Sequence, residues 1–317
     1  MVSDDTVLDL VSIGAANIDL MLYVKDFAKS DQEATTEKSE LQGGGSAANV
    51  AVGVRRLGKK SGFIGKIGND NFGKFLIDEF KREGVDISGA KIEQNSSSMA
   101  IAIVNKKGQR ILYLNGGVQS TFSKSDVKKD YIQNSTFLSL HSIVNNEAVE
   151  ILEVAAKYAS QTGVSVLFDP GFKFAVKGIE KFRKILTYTT ILKLNSEEVK
   201  VFTNSDDIQE SFKIIRDYGP RLVVVTLGKD GCIINESHTK EIKVPVDVHA
   251  IDTTGAGDAF SAALISALID KKRFVDACRF ANLVAAVSTT KQGARSVPTL
   301  NELKIFLQKS GKRLSDY

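Results

Sequence analysis

The chain has 317 residues, 43% of them hydrophobic and 25% charged, with a formal net charge of +4 and a pI near 8.8. That length buries a large core and suits one large α/β domain, or one such domain with an added lid, and the composition excludes a disordered or fibrous chain. The 42 basic residues are spread among 38 acidic ones rather than gathered on a face, which excludes nucleic acid as a partner while suiting phosphate-bearing ligands.

Residues 1–9 are acidic and lack the charged-then-apolar pattern of a secretory signal, and no 18-residue apolar run follows. A cytoplasmic protein with no membrane partner is therefore expected. After a first strand, Asn17-Ile18-Asp19 leads into strand-like residues 20–24, and residues 35–41 read the same way. Helical periodicity covers 47–57 and 72–83. Strands at 99–105 and 110–115 are joined by Lys106-Lys107-Gly108-Gln109 as a hairpin turn. These strands are expected to form a small sheet apart from the main one. Such a sheet does not bury its outer face alone, so it packs on ligand and main domain or clasps a second copy into a homodimer.

From about Ser135 the pattern changes to strand-like runs at 136–142, 165–169, 190–194 and 222–226. They alternate with helix-period segments at 147–161, 178–186, 196–203 and 208–218, followed by Ala-rich helices beginning near Gly255 and Arg273. This alternation implies right-handed crossovers and a Rossmann-like three-layer α/β fold, with a central, mostly parallel sheet flanked by helices. Ligands of such sheets sit beyond the carboxyl ends of the strands, where Asp169, Asn195, Thr226 and Asp258 fall. Cys232 lies in a strand-like run and Cys278 in a helix-like one, so both are expected as buried, reduced thiols. There is no internal repeat.

The chemistry concentrates in Asp252-Thr253-Thr254-Gly255-Ala256-Gly257-Asp258, which runs into an apolar helix. Small residues on a tight turn leave backbone N–H groups bare at the positive end of a helix, a seat for an anion. Gly255, Ala256 and Gly257 supply the donors, and Asp258 stands beside them as a candidate general base toward a hydroxyl. An anion cradle touching a base reads as phosphoryl transfer; a lone turn of this kind reads equally as a helix cap. Asn17 and Asp19, alternate residues of an extended segment, present an amide and a carboxylate to one side, as a polyol acceptor requires. Asn195 and Glu198 stand at capping-box spacing. The histidines have no metal spacing; His141 reads as pocket-lining, His238 and His249 as surface.

A second glycine-rich element, Gly43-Gly44-Gly45-Ser46-Ala47-Ala48-Asn49, is followed by Gly58 and Gly68. Together with the segment ending in Asp258 it closely resembles the two signatures of the ribokinase-like carbohydrate kinases, the phosphofructokinase B family. Gly68-Asn69-Asp70-Asn71-Phe72-Gly73, Asn195-Ser196-Glu197-Glu198 and Thr226-Leu227-Gly228-Lys229-Asp230-Gly231 fall between them in the family's order, so the resemblance spans nearly the whole chain. It implies a single kinase domain over 1–317, with lid strands inserted at about 20–41 and 99–115 over the acceptor site. It implies ATP as co-substrate, and Gly44, Gly45 and Asn49 beside Asn17 and Asp19 around the acceptor. Asn195, Thr226, Gly228, Lys229, Gly231 and Asn282 are implied to bind the nucleotide, and Glu198 to hold Mg²⁺ through water. A monovalent cation, K⁺, is implied at Asp252, Thr254, Gly293 and Ser296. The loop departs from ribose-specific members, which carry a shorter Gly-Gly-Lys-Gly-Ala-Asn, so the resemblance does not single out ribose as the acceptor. Phe168-Asp169-Pro170-Gly171 is similar to archaeal nucleoside kinases of the superfamily, which keeps a nucleoside as the alternative acceptor. A nucleotide-binding protein without turnover is the remaining alternative. A dinucleotide module is not supported, because Gly14-Ala15-Ala16 does not supply the required glycine fingerprint.

Overall fold

The computed structural model describes residues 7–236, 238–309 and 311–317. The first third runs β1 (Leu8–Ile13), β2 (Asn17–Val24), β3 (Thr36–Gly44), α1 (Ser46–Arg56), β4 (Ser61–Ile64), β5 (Lys66–Gly68), α2 (Asn71–Glu83), β6 (Lys91–Glu93), β7 (Met99–Asn105) and β8 (Arg110–Asn115). Then follow α3 (Lys129–Gln133), β9 (Ser135–His141), α4 (Ala148–Ser160), β10 (Ser165–Asp169), α5 (Gly171–Ala175), α6 (Arg183–Tyr188), β11 (Ile191–Asn195), α7 (Ser196–Thr203), α8 (Ile208–Asp217) and β12 (Leu222–Thr226). The chain ends with β13 (Cys232–Asn235), β14 (Thr239–Ile242), α9 (Ala256–Ile269), α10 (Phe274–Ser288) and α11 (Leu300–Lys309).

The main sheet has eight strands in the order β14-β13-β12-β11-β10-β9-β1-β4. It is parallel from β12 to β4, and β13 and β14 add an antiparallel edge. Only three residues link β13 to β14, too few for the crossover that parallel pairing needs. Alternate residues of each strand feed two separate cores: Val11, Leu138, Phe168 and Leu192 pack toward α4, while Leu10, Phe137, Leu167 and Ile191 pack toward α9 and α10. Burial of both faces explains why these strands read as unbroken apolar runs.

The second sheet has the order β3-β2-β7-β8 and consists of the four strands expected in the lid. Two expectations shift. The helical segment at 178–186 is a short 3₁₀ turn, Ile179–Phe182, followed by α6, after Gly178 enters with φ 75°. The strand expected to end at 41 continues to Gly44, because Gly44 pairs with Asn17 and Gln42 with Asp19. That extension carries the glycine loop to the foot of β2, beside Asn17 and Asp19.

Candidate active site

Gly255 caps α9 in the left-handed region at φ 77°, and an added Cβ would collide with the Ala294 carbonyl. Only glycine fits such a turn pressed against another backbone. The Ala256 N–H donates to the Thr253 carbonyl at 3.2 Å, so this donor is shared rather than bare. Among the described residues the N–H groups of Gly255, Gly257 and Asp258 make no hydrogen bond, and these are the free donors of the turn. Asp258 occupies the third helical position. Its Oδ2 accepts from Asn49 Nδ2 at 2.7 Å. Burial pushes its carboxyl above the usual range, Asn49 opposes that shift, and the charge of Asp169 adds to it.

Beneath this turn lies a buried ion pair of which the sequence reading placed only Asp169 near the crevice. Lys193 Nζ donates to Asp169 Oδ2 at 2.9 Å, Ser261 Oγ donates to the same oxygen at 3.2 Å, and both charged side chains are 7% exposed. A Cβ on Gly257 would stand 3.0 Å from Lys193 Nζ, so the ammonium lies directly below the anion turn. Burial works against that ammonium, but Asp169, then Glu198 and Asp258, outweigh it and hold Lys193 charged. A lysine inside the apolar run of β11 is the sequence signal that could have revealed it.

On one side of the turn is a cavity of about 610 Å³. Thr226, Gly228, Lys229, Gly231 and Asn282, the positions expected at a nucleotide, line it together with Ala256 and Gly257. Its apolar wall comes from Val244, Val246, Val248 and Phe260, residues the sequence reading did not select. Asn195 is not among its lining residues. That side chain accepts from the N–H groups of Glu197 and Glu198, while Glu198 Oε2 accepts the Asn195 N–H at 2.8 Å, a complete capping box at the start of α7. Burial, then the neighbouring Asp169, raises the Glu198 carboxyl above its usual range.

On the other side of the turn are the expected acceptor residues. Asn17 Nδ2 donates to Asp19 Oδ1 at 2.5 Å, and a Cβ on Gly44 would overlap the Asp19 carboxylate. Gly45 caps α1 at φ 94°, with an added Cβ meeting the Ala15 carbonyl and Asn17. Asn49, one turn into α1, reaches across 209 residues of sequence to Asp258. Burial lifts the Asp19 carboxyl to about 6, against the opposing pull of Arg295 and Asn17, and the charge of Asp258 raises it further.

The residues expected at the monovalent cation are drawn together by Asp252. Its Oδ1 accepts from the Thr254 N–H and its Oδ2 from the Gly293 N–H, each at 2.9 Å. Burial raises this carboxyl, yet those bonds outweigh it and hold it below the usual range. Ser296 Oγ donates to the Ser288 carbonyl at 3.0 Å nearby. His141 is buried and bonded through Nε2 to Ser139 Oγ at 2.5 Å, and burial depresses it to about 4. It is a neutral core residue and is not among the residues lining the 610 Å³ cavity. His238 and His249 are exposed, and Cys232 and Cys278 are free and buried.

Residues 7–300 match the model of the pfkB family carbohydrate kinases. Among curated proteins, the chain is 31% identical to a ribokinase of Haemophilus influenzae, over 94% of this chain and 98% of that protein. It is 29% identical to an ATP-dependent ribose-1-phosphate kinase of Halopiger xanaduensis, over 94% and 97%. Among solved structures, the ribokinase of Thermotoga maritima superposes with a TM-score of 0.83 at 28% identity, covering 95% of this chain and 99% of that one.

Proposed function

The chain belongs to the pfkB family of carbohydrate kinases, and from that premise we propose that it transfers the γ-phosphate of ATP to a hydroxyl of a sugar or sugar derivative. The observation that carries this reading is the position of the first turn of α9. The turn borders the nucleotide-sized cavity through Ala256 and Gly257, and through Asp258 it meets Asn49 on the side of Asp19. A phosphoryl group moving between the two chambers would pass this turn.

Phosphoryl transfer needs alignment and neutralisation of charge more than covalent help. The free N–H groups of Gly255, Gly257 and Asp258 would receive a phosphate oxygen, and the Lys193 ammonium below Gly257 reinforces them. Asn49 holds one oxygen of Asp258, with Ser46 also bonded to the carboxylate, and Asp258 would accept the proton of the attacking hydroxyl. Asn17 and Asp19 hold other hydroxyls of the acceptor. The adenine would lie against the valine-rich wall, with the exposed Lys229 at the mouth beside the phosphates.

The donor set fits Mg²⁺: Glu198 and Asp169 repel one another with a single ammonium between them, and hard oxygen ligands suit that ion. Glu198 would hold it through water, and when bound it supplies neutralisation of the phosphate charge. Asp252, with the backbone at Thr254, Gly293 and Ser296, would hold a monovalent cation such as K⁺. The lid sheet closes over the acceptor, the enzyme is a homodimer through that sheet, and the two free buried thiols suit a cytoplasmic setting.

A sugar is favoured over a nucleoside. Asp169, in the segment that resembled nucleoside kinases, is engaged by Lys193 and Ser261 below α9 rather than turned to the acceptor. The test is coupled ADP release with ribose, fructose, ketodeoxygluconate, adenosine, cytidine and inosine. At least one sugar should be turned over, and Asp258→Asn should bind ATP yet lose roughly 10²- to 10⁴-fold in turnover. Turnover of nucleosides alone would overturn the acceptor assignment, and near-wild-type turnover in Asp258→Asn would overturn the base.

A further inference from the structure

Arg295 lies between Gly293 and Ser296 in the loop after α10, and it is buried although it carries a full charge. Its guanidinium is divided among three elements. Nε donates to Asn49 Oδ1 at 3.1 Å, Nη2 donates to the Gly44 carbonyl at 3.0 Å, and Nη1 pairs with Glu79 Oε2 on α2. Its guanidinium carbon lies 5.3 Å from the centroid of the Phe80 ring. The backbone of Arg295 is fixed in turn, since Arg56 Nη1 donates to its carbonyl at 2.7 Å while Arg56 itself pairs with Glu83. A Cβ at Gly43 would collide with both the Glu79 carboxylate and the Arg295 guanidinium, so the loop has glycine where this fork passes.

An asparagine amide has one accepting and one donating end, and an arginine can only donate. The Arg295 Nε–H therefore claims the Asn49 oxygen and forces the Asn49 NH₂ toward Asp258 Oδ2. We propose that Arg295 is a positioning residue for the transfer reaction: through Asn49 it sets the orientation of the Asp258 carboxylate, and through Gly44 it sets the loop beside the acceptor. This rests on the assignment of Asp258 as the base. It adds that the base is aimed by a side chain lying outside both glycine-rich motifs.

The charged groups facing this network are Glu79 and Glu83 from α2, Arg56 from α1 and Asp19 from β2 around Arg295, with Asp169 and Lys193 near Asp258. Two variants separate aim from packing. Arg295→Met removes the fork but strands the Glu79 charge, whereas Glu79→Gln with Arg295→Met removes both buried charges together. The expected result is a fall in kcat of about 10²-fold in the double variant, the scale of a misplaced reacting group, with ATP titration unchanged. The acid limb of its rate–pH profile should also move to higher pH, because Asp258 loses the ordered Asn49 donor that opposes protonation. Wild-type phosphorylation of a panel sugar and its loss in Asp258→Asn test the underlying assignment separately. Wild-type kcat or an unshifted acid limb in either variant would overturn the proposal. So would a double variant with no ATP-induced rise in melting temperature, since Arg295 would then be a packing residue.

Discussion

At the scale of single residues, the proposed acceptor role of Asp19 comes with a cost in stability. Its carboxyl titrates near 6 because burial outweighs the help of Arg295 and Asn17. The folded protein therefore binds a proton at Asp19 more readily than the unfolded chain between the ordinary value of 3.8 and about 6. Stability falls as pH rises through that window, and the full penalty is present at pH 7 and above. Asp19→Asn should recover about 1–2 kcal/mol above neutrality, less than the pKa shift alone implies because the site is only partly shielded from water. Calorimetric melting should show the variant more stable near pH 7.5 and level with wild type near pH 4, where both side chains are neutral. Isothermal titration should show acceptor affinity lost and ATP affinity retained. Equal weakening of both ligands would mean that Asp19 is a structural cap at the foot of the lid.

At the scale of elements, the start of α7 shows two demands met by the same side chains. Glu198 Oε2 closes the capping box, yet its carboxyl is raised by burial and by Asp169, a condition that a nearby cation would relieve. Glu198→Gln keeps an oxygen that accepts the Asn195 N–H, so melting temperature should stay close to wild type. The magnesium concentration for half-maximal rate should rise roughly 10- to 100-fold, as for other outer contacts to a metal. A lost fold with an unchanged magnesium response would leave the cap as the residue's whole role. Asn195, Glu198, the turn at Gly255 and the hairpin at 106–109 were legible in the sequence because each is a local matter of backbone chemistry and short spacing. The strands of the main sheet were legible because burial on both faces leaves apolar runs of strand length. Lys193 and Arg295 were not, and Asp169 was legible only as a residue at a strand end, because their roles depend on contacts across 24, 92 and 246 residues of sequence, which no local pattern encodes. The same limit hid the valines that wall the 610 Å³ cavity.

At the scale of the whole molecule, the small sheet is unfinished in a single chain. Registers place Leu41, Leu20, Ile101 and Tyr113 in one row, and Leu22, Ile103 and Ile111 in the next, on the face opposite Asp19. On that face Tyr113 is 59% exposed and Leu41 39% exposed, a concentration of apolar surface unusual for a face turned only to water. The strip lies on the far side of the sheet that carries Asp19 and Asn17, so a second copy clasped there would brace the lid without entering the site. Sedimentation at micromolar concentration should therefore show a species of twice the 34.4 kDa chain mass. Ile111→Asp with Tyr113→Asp should give a folded monomer, because both side chains are exposed and contribute nothing to the main core. Its acceptor KM should rise while its ATP KM stays in place, since an unbraced lid closes less readily over the acceptor and leaves the nucleotide cavity untouched. In the wild type, hydrogen exchange across residues 20–41 and 99–115 should slow when a proven acceptor binds, and slow less in the monomeric variant. A wild-type monomer whose exchange in these strands ignores the acceptor would show that the sheet is fixed scaffold and that its apolar face has no partner of its own kind.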